Sequence, residues 1–393
     1  MKFRWLQTRS ARKFLKNRMT RFSLGIISLY VLTTLALFGG AVTLEETETR
    51  IAAGNIPGFW GHYPVEQRFA DTEMYLDAVK RALKRNDVPT ALREITYGHR
   101  QVGSPDPAEL RQRLNQADEL FDELAILDDL SHSPEHLPRI EQLEAIIDGM
   151  FASLSTTESI SRGIRLSLGT DRQGRSILLR GVYSIKVALL VGLVTATIGV
   201  LIGSILGAAA GWFGGWTDNA IIWLYTTFQS IPNMVLLVLL AYLFTGSRFE
   251  GTLLPLYVSF GATYWIGPCR VIRGETLKLK ELEYIQAAQT MGFSRFYILL
   301  WHILPNASHL MLINFSLLFI GAVKSEVILS FLGLGVKEGP SWGIMISQAS
   351  SEVVNGFFWQ IGTATALMFG LVLAFNIVSD SLQDAFDPKH AGD

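Results

Sequence analysis

The sequence predicts an all-α integral membrane protein with six transmembrane helices and a helical insert outside the membrane. Three observations predict it. Apolar runs of bilayer length recur along a 393-residue chain that is 49% hydrophobic and only 18% charged. A crossing needs about 20 apolar residues, because each residue of an α-helix rises about 1.5 Å. The charge is also segregated: a net charge of -1 hides a basic tail, an acidic block and nearly uncharged apolar runs. Finally, a short helix-prone loop between two apolar runs carries Arg270, Arg273, Lys278, Lys280 and Arg295. Short loops rich in Lys and Arg mark the cytoplasmic side of a membrane.

The elements follow in chain order. Residues 1–22 hold eight Lys or Arg and no acid, and read as a basic cytoplasmic tail. Residues 23–43 form the first transmembrane helix. This apolar run is longer than the hydrophobic stretch of a secretory signal, so an uncleaved helix is expected. The chain then leaves the cytoplasm, which places the acidic block at 44–168 outside the membrane. That insert carries 22 acids against 13 bases. Asp106-Pro107-Ala108-Glu109 has the pattern of a capping box with Pro at the first helical position. Leu110, Leu114, Ala117, Phe121, Leu124 and Leu127 then recur at steps of three and four, one face of a helix. Ser133-Pro134 opens another helix, with Leu137, Ile140, Leu143, Ile147, Met150, Phe151 and Leu154 on one side. A third runs over 71–85. Amphipathic helices of this kind pack as a bundle. The acid excess gives the insert a field able to steer a basic partner or cationic solute, screened by salt.

Residues 169–393 form the core, with five further transmembrane helices at 184–210, 219–244, 253–271, 303–323 and 354–378. The first carries Gly199, Gly203, Gly207 and Gly211 at steps of four. In lipid, helices associate by close packing, and a stripe of small residues admits a neighbouring backbone. Pro232 predicts a kink in the second. Six crossings return both termini to the cytoplasm. Lys324 and Glu326 lie near the outer end of the helix at 303–323. Two positions apart on a helix, they point about 200° from one another and cannot pair. Ionisable groups at such depth have either a functional or a structural use.

The loop at 270–302 is cytoplasmic in this topology. Tyr284 to Thr290 are good helix formers, and Ala287 with Ala288 leaves a low surface for another protein. Gly292 suits the left-handed position just past a helix end. Pro305 suits the first turn of the next helix.

These residues carry a resemblance. Gln286, Ala287, Ala288 and Gly292, followed by Leu304-Pro305, resemble the loop by which ABC importer permeases receive force from their ATPase. Gln286 stands where that family has Glu, and His302 where it has Ile. Gly169-Thr170-Asp171 with Gly174-Arg175 is similar to the family's GTD-x-x-GR stretch, with Ser176 in place of an Asp. Ser330 to Gly335 match its SFLGLG, Ser341-Trp342-Gly343 its SWG, and Leu373 to Lys389 its closing segment. The resemblance covers the first 40 residues and 165–388, and is to permeases for dipeptides, oligopeptides and nickel. It implies that Glu283, Tyr284, Gln286, Ala287, Ala288, Gly292 and Phe293 contact an ATPase. It further implies a second homologous permease, two cytoplasmic ATPase subunits holding ATP and Mg, and an extracytoplasmic solute-binding protein in a bacterial inner membrane. A peptide is the expected solute, with nickel or another small solute the alternative.

The chain itself has no phosphate-cradling G-x-x-x-x-G-K-[ST], no nucleophile elbow and no H-E-x-x-H pair. It is therefore expected to be a transport subunit without cofactor, metal or nucleic-acid partner, and not an enzyme. Cys269 is the single cysteine, so no intrachain disulfide can form. A gradient-driven transporter is the alternative of another class, and would more typically show internal repeats and acids at mid-membrane.

Overall fold

A computed structural model describes residues 14, 16–52, 54–59, 61, 65–85, 88, 96–97, 100–103, 106–126 and 136–386. Ser133-Pro134, Leu127, most of the basic tail and the end of the closing segment lie outside these residues. Helix α1 spans Arg18–Phe38. Then come α2 (Leu44–Glu48), α3 (Val65–Leu83), a two-residue ladder of β1 (Thr96–Tyr97) with β2 (Arg100–Gln101), α4 (Pro107–Ala125), α5 (Leu137–Gly149) and α6 (Thr156–Leu166). The core follows: α7 (Ile177–Phe213), α8 (Gly215–Gln229), α9 (Asn233–Tyr242), α10 (Leu254–Thr263), α11 (Ile266–Lys280) and α12 (Glu283–Thr290). Helix α13 (Arg295–Ile298) runs through a π-helical turn at Leu299–Ile303 into α14 (Leu304–Asn306), and α15 (Ser308–Phe331), α16 (Trp342–Val354) and α17 (Trp359–Phe386) complete the chain. Among the described residues the fold is helical, the two-residue ladder apart. Two compact units result: Met1–Thr43 with Gly181–Ser347 and Ala364–Asp393, and Leu44–Arg180 with Gln348–Thr363.

In the first unit, α1, α7, α15 and α17 are long and apolar enough to cross a membrane, and α8 with α9, bent by 83°, makes up to one more. The bend at Ser230–Pro232 is sharper than a kink, because Pro232 ends one helix and caps the next. The span expected at 253–271 is divided at Tyr264–Trp265 into α10 and α11. Pro268 has no N–H to offer the Tyr264 carbonyl, which removes the helical bond that would join them. The spans expected at 303–323 and 354–378 lie further along, at α15 and α17.

The glycines of α7 face α11 and the Tyr264–Trp265 break. A Cβ on Gly199 would stand 2.9 Å from Leu318 Cδ1, and one on Gly211 2.8 Å from Thr276 Cβ. On Gly203 and Gly207 it would overlap the Trp265 and Cys269 carbonyl oxygens. Backbone therefore meets backbone at Gly203 and Gly207. Elsewhere in the unit, Tyr30 donates to the Leu367 carbonyl at 2.8 Å and Thr20 to Ser381 at 2.7 Å, fastening α1 to α17.

The second unit buries Leu76, Val79, Leu110, Leu114, Ala117, Leu124, Ile140, Leu143, Ile147 and Met150 between α3, α4 and α5. Phe121 stacks on Phe69 with centroids 4.6 Å apart. Asp106 caps α4 by accepting from the Ala108 N–H at 2.9 Å. A reciprocal capping box forms at α6, between Ser155 and Glu158, from an S-x-x-E pattern.

The same unit holds a buried ion cluster. Asp171 Oδ1 accepts from the backbone N–H groups of Gln173 and Arg175, both at 2.9 Å. Its Oδ2 accepts from Arg175 Nε at 2.7 Å and Arg180 Nη1 at 2.5 Å. Arg175 also pairs with Glu48. Gln348 Oε1 accepts from Arg180 at 2.9 Å and Arg175 at 3.1 Å. The Arg172 N–H donates to Glu352 at 2.8 Å, and burial still holds that carboxyl above its usual range. Asp171 and Arg180 are almost wholly buried, so neither charge has water to fall back on.

Two outcomes follow from these contacts. Asp171→Ala leaves two guanidinium groups without the carboxylate they share, and breaking a buried pair costs about 3–5 kcal/mol. Limited proteolysis of the membrane-embedded chain should then cut the 44–180 unit first. Overpacking costs about 1–3 kcal/mol, so Gly207→Ala should lower the midpoint of detergent-induced unfolding. Gly274→Ala, whose Cβ would meet nothing within 4 Å, should not.

Candidate coupling surface

Helix α12 begins after extended Leu282 and ends in a Schellman motif. The Phe293 N–H donates to the Ala288 carbonyl at 3.2 Å and the Gly292 N–H to Gln289 at 3.0 Å. Gly292 has a φ of 84°, the left-handed conformation that this motif requires at its position. Ser294 then caps α13, accepting from the Tyr297 N–H at 3.2 Å. Pro305 sits in the first turn of α14. Because it cannot donate to the Trp301 carbonyl, the preceding turn widens to π-helical spacing.

The two alanines part company. Adjacent helical residues point about 100° from each other, so Ala287 is exposed while Ala288 is buried. Ile285 and Ala288 enter an apolar cluster with Ala208 and Trp212 of α7, Ile272 of α11, and Ile298, Leu299, Ile303 and Ala307. Glu283, Tyr284, Gln286, Ala287 and Phe293 remain on the exposed side, beside Met291. The low surface that the sequence assigns to both alanines is thus presented by Ala287 alone.

Several supports were not legible in the sequence. Trp212 Nε1 donates to the Arg295 carbonyl at 3.0 Å, locking the end of α7 to the start of α13. Asn306 donates to the Tyr284 hydroxyl at 3.0 Å, which orients that ring. Phe293 stacks on Tyr297 with centroids 5.2 Å apart, and Phe296 packs against Phe213 at 5.3 Å. The loop's bases are partly committed: Arg273 makes a bidentate pair with Asp218 at 2.5 and 2.7 Å, and Lys278 pairs with Glu275 at 3.1 Å.

The other matched segments also have physical content. Glu326 is buried and accepts from Ser330 at 2.6 Å and from Ser341, whereas Lys324 is exposed. The two thus separate, as their 200° offset requires, and Glu326 ties α15 to Ser341 at the start of α16. A Cβ on Gly335 would overlap Ser330, and one on Gly343 would overlap the Val327 carbonyl. Trp342 is buried and donates to the Gly181 carbonyl at 3.1 Å.

Comparison with known proteins agrees with this anatomy. Residues 199–391 match the family model described as binding-protein-dependent transport system inner membrane component. The dipeptide transport system permease protein DppC of Bacillus subtilis is 33% identical over 222 residues, 56% of this chain and 68% of the relative. The oligopeptide transport system permease protein OppC of Haemophilus influenzae is 38% identical over 56% of this chain and 70% of its own length. OppC of Salmonella typhimurium is 40% identical over 223 residues, 56% of this chain and 72% of the relative. A multi-pass helical chain whose matched region carries the loop, the glycine seam and the Glu326 junction is a membrane transport component and not an enzyme, and it belongs to the binding-protein-dependent transport system inner membrane component family.

Proposed function

We propose that this chain is one permease subunit of an ATP-driven importer of dipeptides or oligopeptides, and that α12 receives the push of an ATPase. The relatives named as dipeptide and oligopeptide permeases support the solute class. One observation supports the coupling role above others. Helix α12 exposes Tyr284, Gln286, Ala287 and Phe293 on one side and inserts Ile285 and Ala288 among residues of α7, α11 and the α13–α15 region on the other. A packed core is stiff. A load on the exposed side therefore moves those helices together instead of bending the loop.

In this reading two cytoplasmic ATPase subunits hold ATP and Mg, a second homologous permease completes the pathway, and a solute-binding protein delivers the peptide outside. The chain crosses six times, at α1, α7, α8–α9, α10–α11, α15 and α17. Both termini and α12 are cytoplasmic, and residues 44–168 are extracytoplasmic, where their acid excess favours a basic or cationic visitor.

Gly292→Val tests the coupling. A β-branched residue at positive φ is strained by about 1–3 kcal/mol, enough to distort the Schellman turn. Membrane insertion should persist while ATP-driven peptide uptake by the assembled transporter falls at least about tenfold, the equivalent of 1.4 kcal/mol. Normal uptake by this variant would remove α12 from the coupling path. Orientation has its own measurement, in a Cys269→Ser background. Asp122→Cys should react with an impermeant thiol reagent in intact cells, and Lys280→Cys only after the cells are opened.

A further inference from the structure

Helix α6 is amphipathic the wrong way round for a helix packed in water. A surface helix ordinarily turns its apolar stripe to the core. Here Ser161, Arg162, Arg165 and Leu166 are the half-buried side, and Thr157, Ile160, Gly163 and Ile164 face outward. Ile160 is 61% exposed and Ile164 58%. Phe59, 83% exposed, joins the end of this helix, its N–H donating to the Ser167 carbonyl at 3.1 Å.

The anchoring of α6 indicates what covers that stripe. Ser176, the residue before membrane-length α7, donates its hydroxyl to the Arg165 carbonyl at 2.5 Å. Gly169 donates to the Leu166 carbonyl at 2.8 Å and accepts from the Ile177 N–H at 3.2 Å. The last turn of α6 is therefore bonded directly to the first turn of a membrane-length helix. On its inward side, Arg165 pairs at 2.7 Å with Glu46, which follows the end of α1 at Phe38 by eight residues. Chain connectivity therefore ties α6 to the same-side ends of two membrane-length helices, directly before α7 and eight residues past α1.

We infer that α6 lies in the membrane interface, with Ile160, Ile164 and Phe59 among the upper acyl carbons and Arg162 and Arg165 turned to the protein. An amphipathic helix with a polar side and a few large apolar residues suits that boundary. There the outward stripe is removed from water without a protein partner, and the α6–α7 junction gains a fixed depth. The inference goes beyond peptide import: it holds whatever the solute, and needs only that α1 and α7 cross the bilayer.

The test uses the full chain in phosphatidylcholine–phosphatidylglycerol nanodiscs, in a Cys269→Ala background. A nitroxide is placed in turn at Ile160→Cys, Ile164→Cys, Phe59→Cys and, as an aqueous reference, at exposed Glu119→Cys. Collision rates with oxygen and with a water-soluble nickel chelate are then compared. The oxygen-to-nickel ratio should be several-fold higher at 59, 160 and 164 than at 119. If a labelled chain aggregates, Thr157→Cys reports from the same face one turn away. Ratios equal to that at 119 would overturn the inference. So would a stripe open to the nickel chelate in nanodiscs and shielded only after a second permease or a solute-binding protein is added.

Discussion

Direct backbone contact between α7 and α11 is the constraint on which the candidate surface depends. Gly203 and Gly207 bring their helix against the Trp265 and Cys269 carbonyls, where a Cβ would overlap backbone oxygen. Helix association in lipid cannot draw on the hydrophobic effect and relies on such contact. The same two helices supply Ala208, Trp212 and Ile272 to the cluster that receives Ile285 and Ala288. In the proposed coupling role, a push on α12 would be delivered to a pair of helices whose separation is already fixed.

Proline and glycine shape the path around that seam. Pro232, Pro268 and Pro305 each withhold a backbone donor, and each lies at a bend, a break or a widened turn. In a membrane such irregular backbone is tolerated only where neighbouring helices or ordered polar groups cover it. The Tyr264 hydroxyl, 2.8 Å from Ser325, supplies one such polar link beside the α10–α11 break. Gly292, Gly335 and Gly343 act differently. The first permits a positive φ, and the others admit atoms that a Cβ would displace.

The second unit is organised by charge as well as by its apolar bundle. Asp171 accepts four hydrogen bonds, and the two arginines it holds share Gln348. A buried ion pair contributes little net stability, but it penalises every arrangement that leaves one member unpaired. The GTD-x-x-GR stretch thus specifies one geometry for the chain entering α7. That specification matters for α6, whose last turn is bonded to the same entry.

Local chemistry made much of this protein readable from its sequence: apolar length for the membrane-length helices α1, α7, α15 and α17, apolar spacing for the bundle faces of α4 and α5, Gly292 as a helix stop, and the Gln286-to-Pro305 string as the likeness to a family. Each depends on residues within a turn or two of one another, or on composition. The sequence did not separate Ala287 from Ala288, because which side of α12 is buried depends on where Trp212 and Ile272 arrive from distant helices. It did not give the sharing of Gln348, which reaches Arg180 and Arg175 across 168 and 173 positions of chain. Nor did it place the apolar stripe of α6 outward: periodicity shows that a helix has two faces, and only the hydrogen bonds at its end decide which one meets the protein.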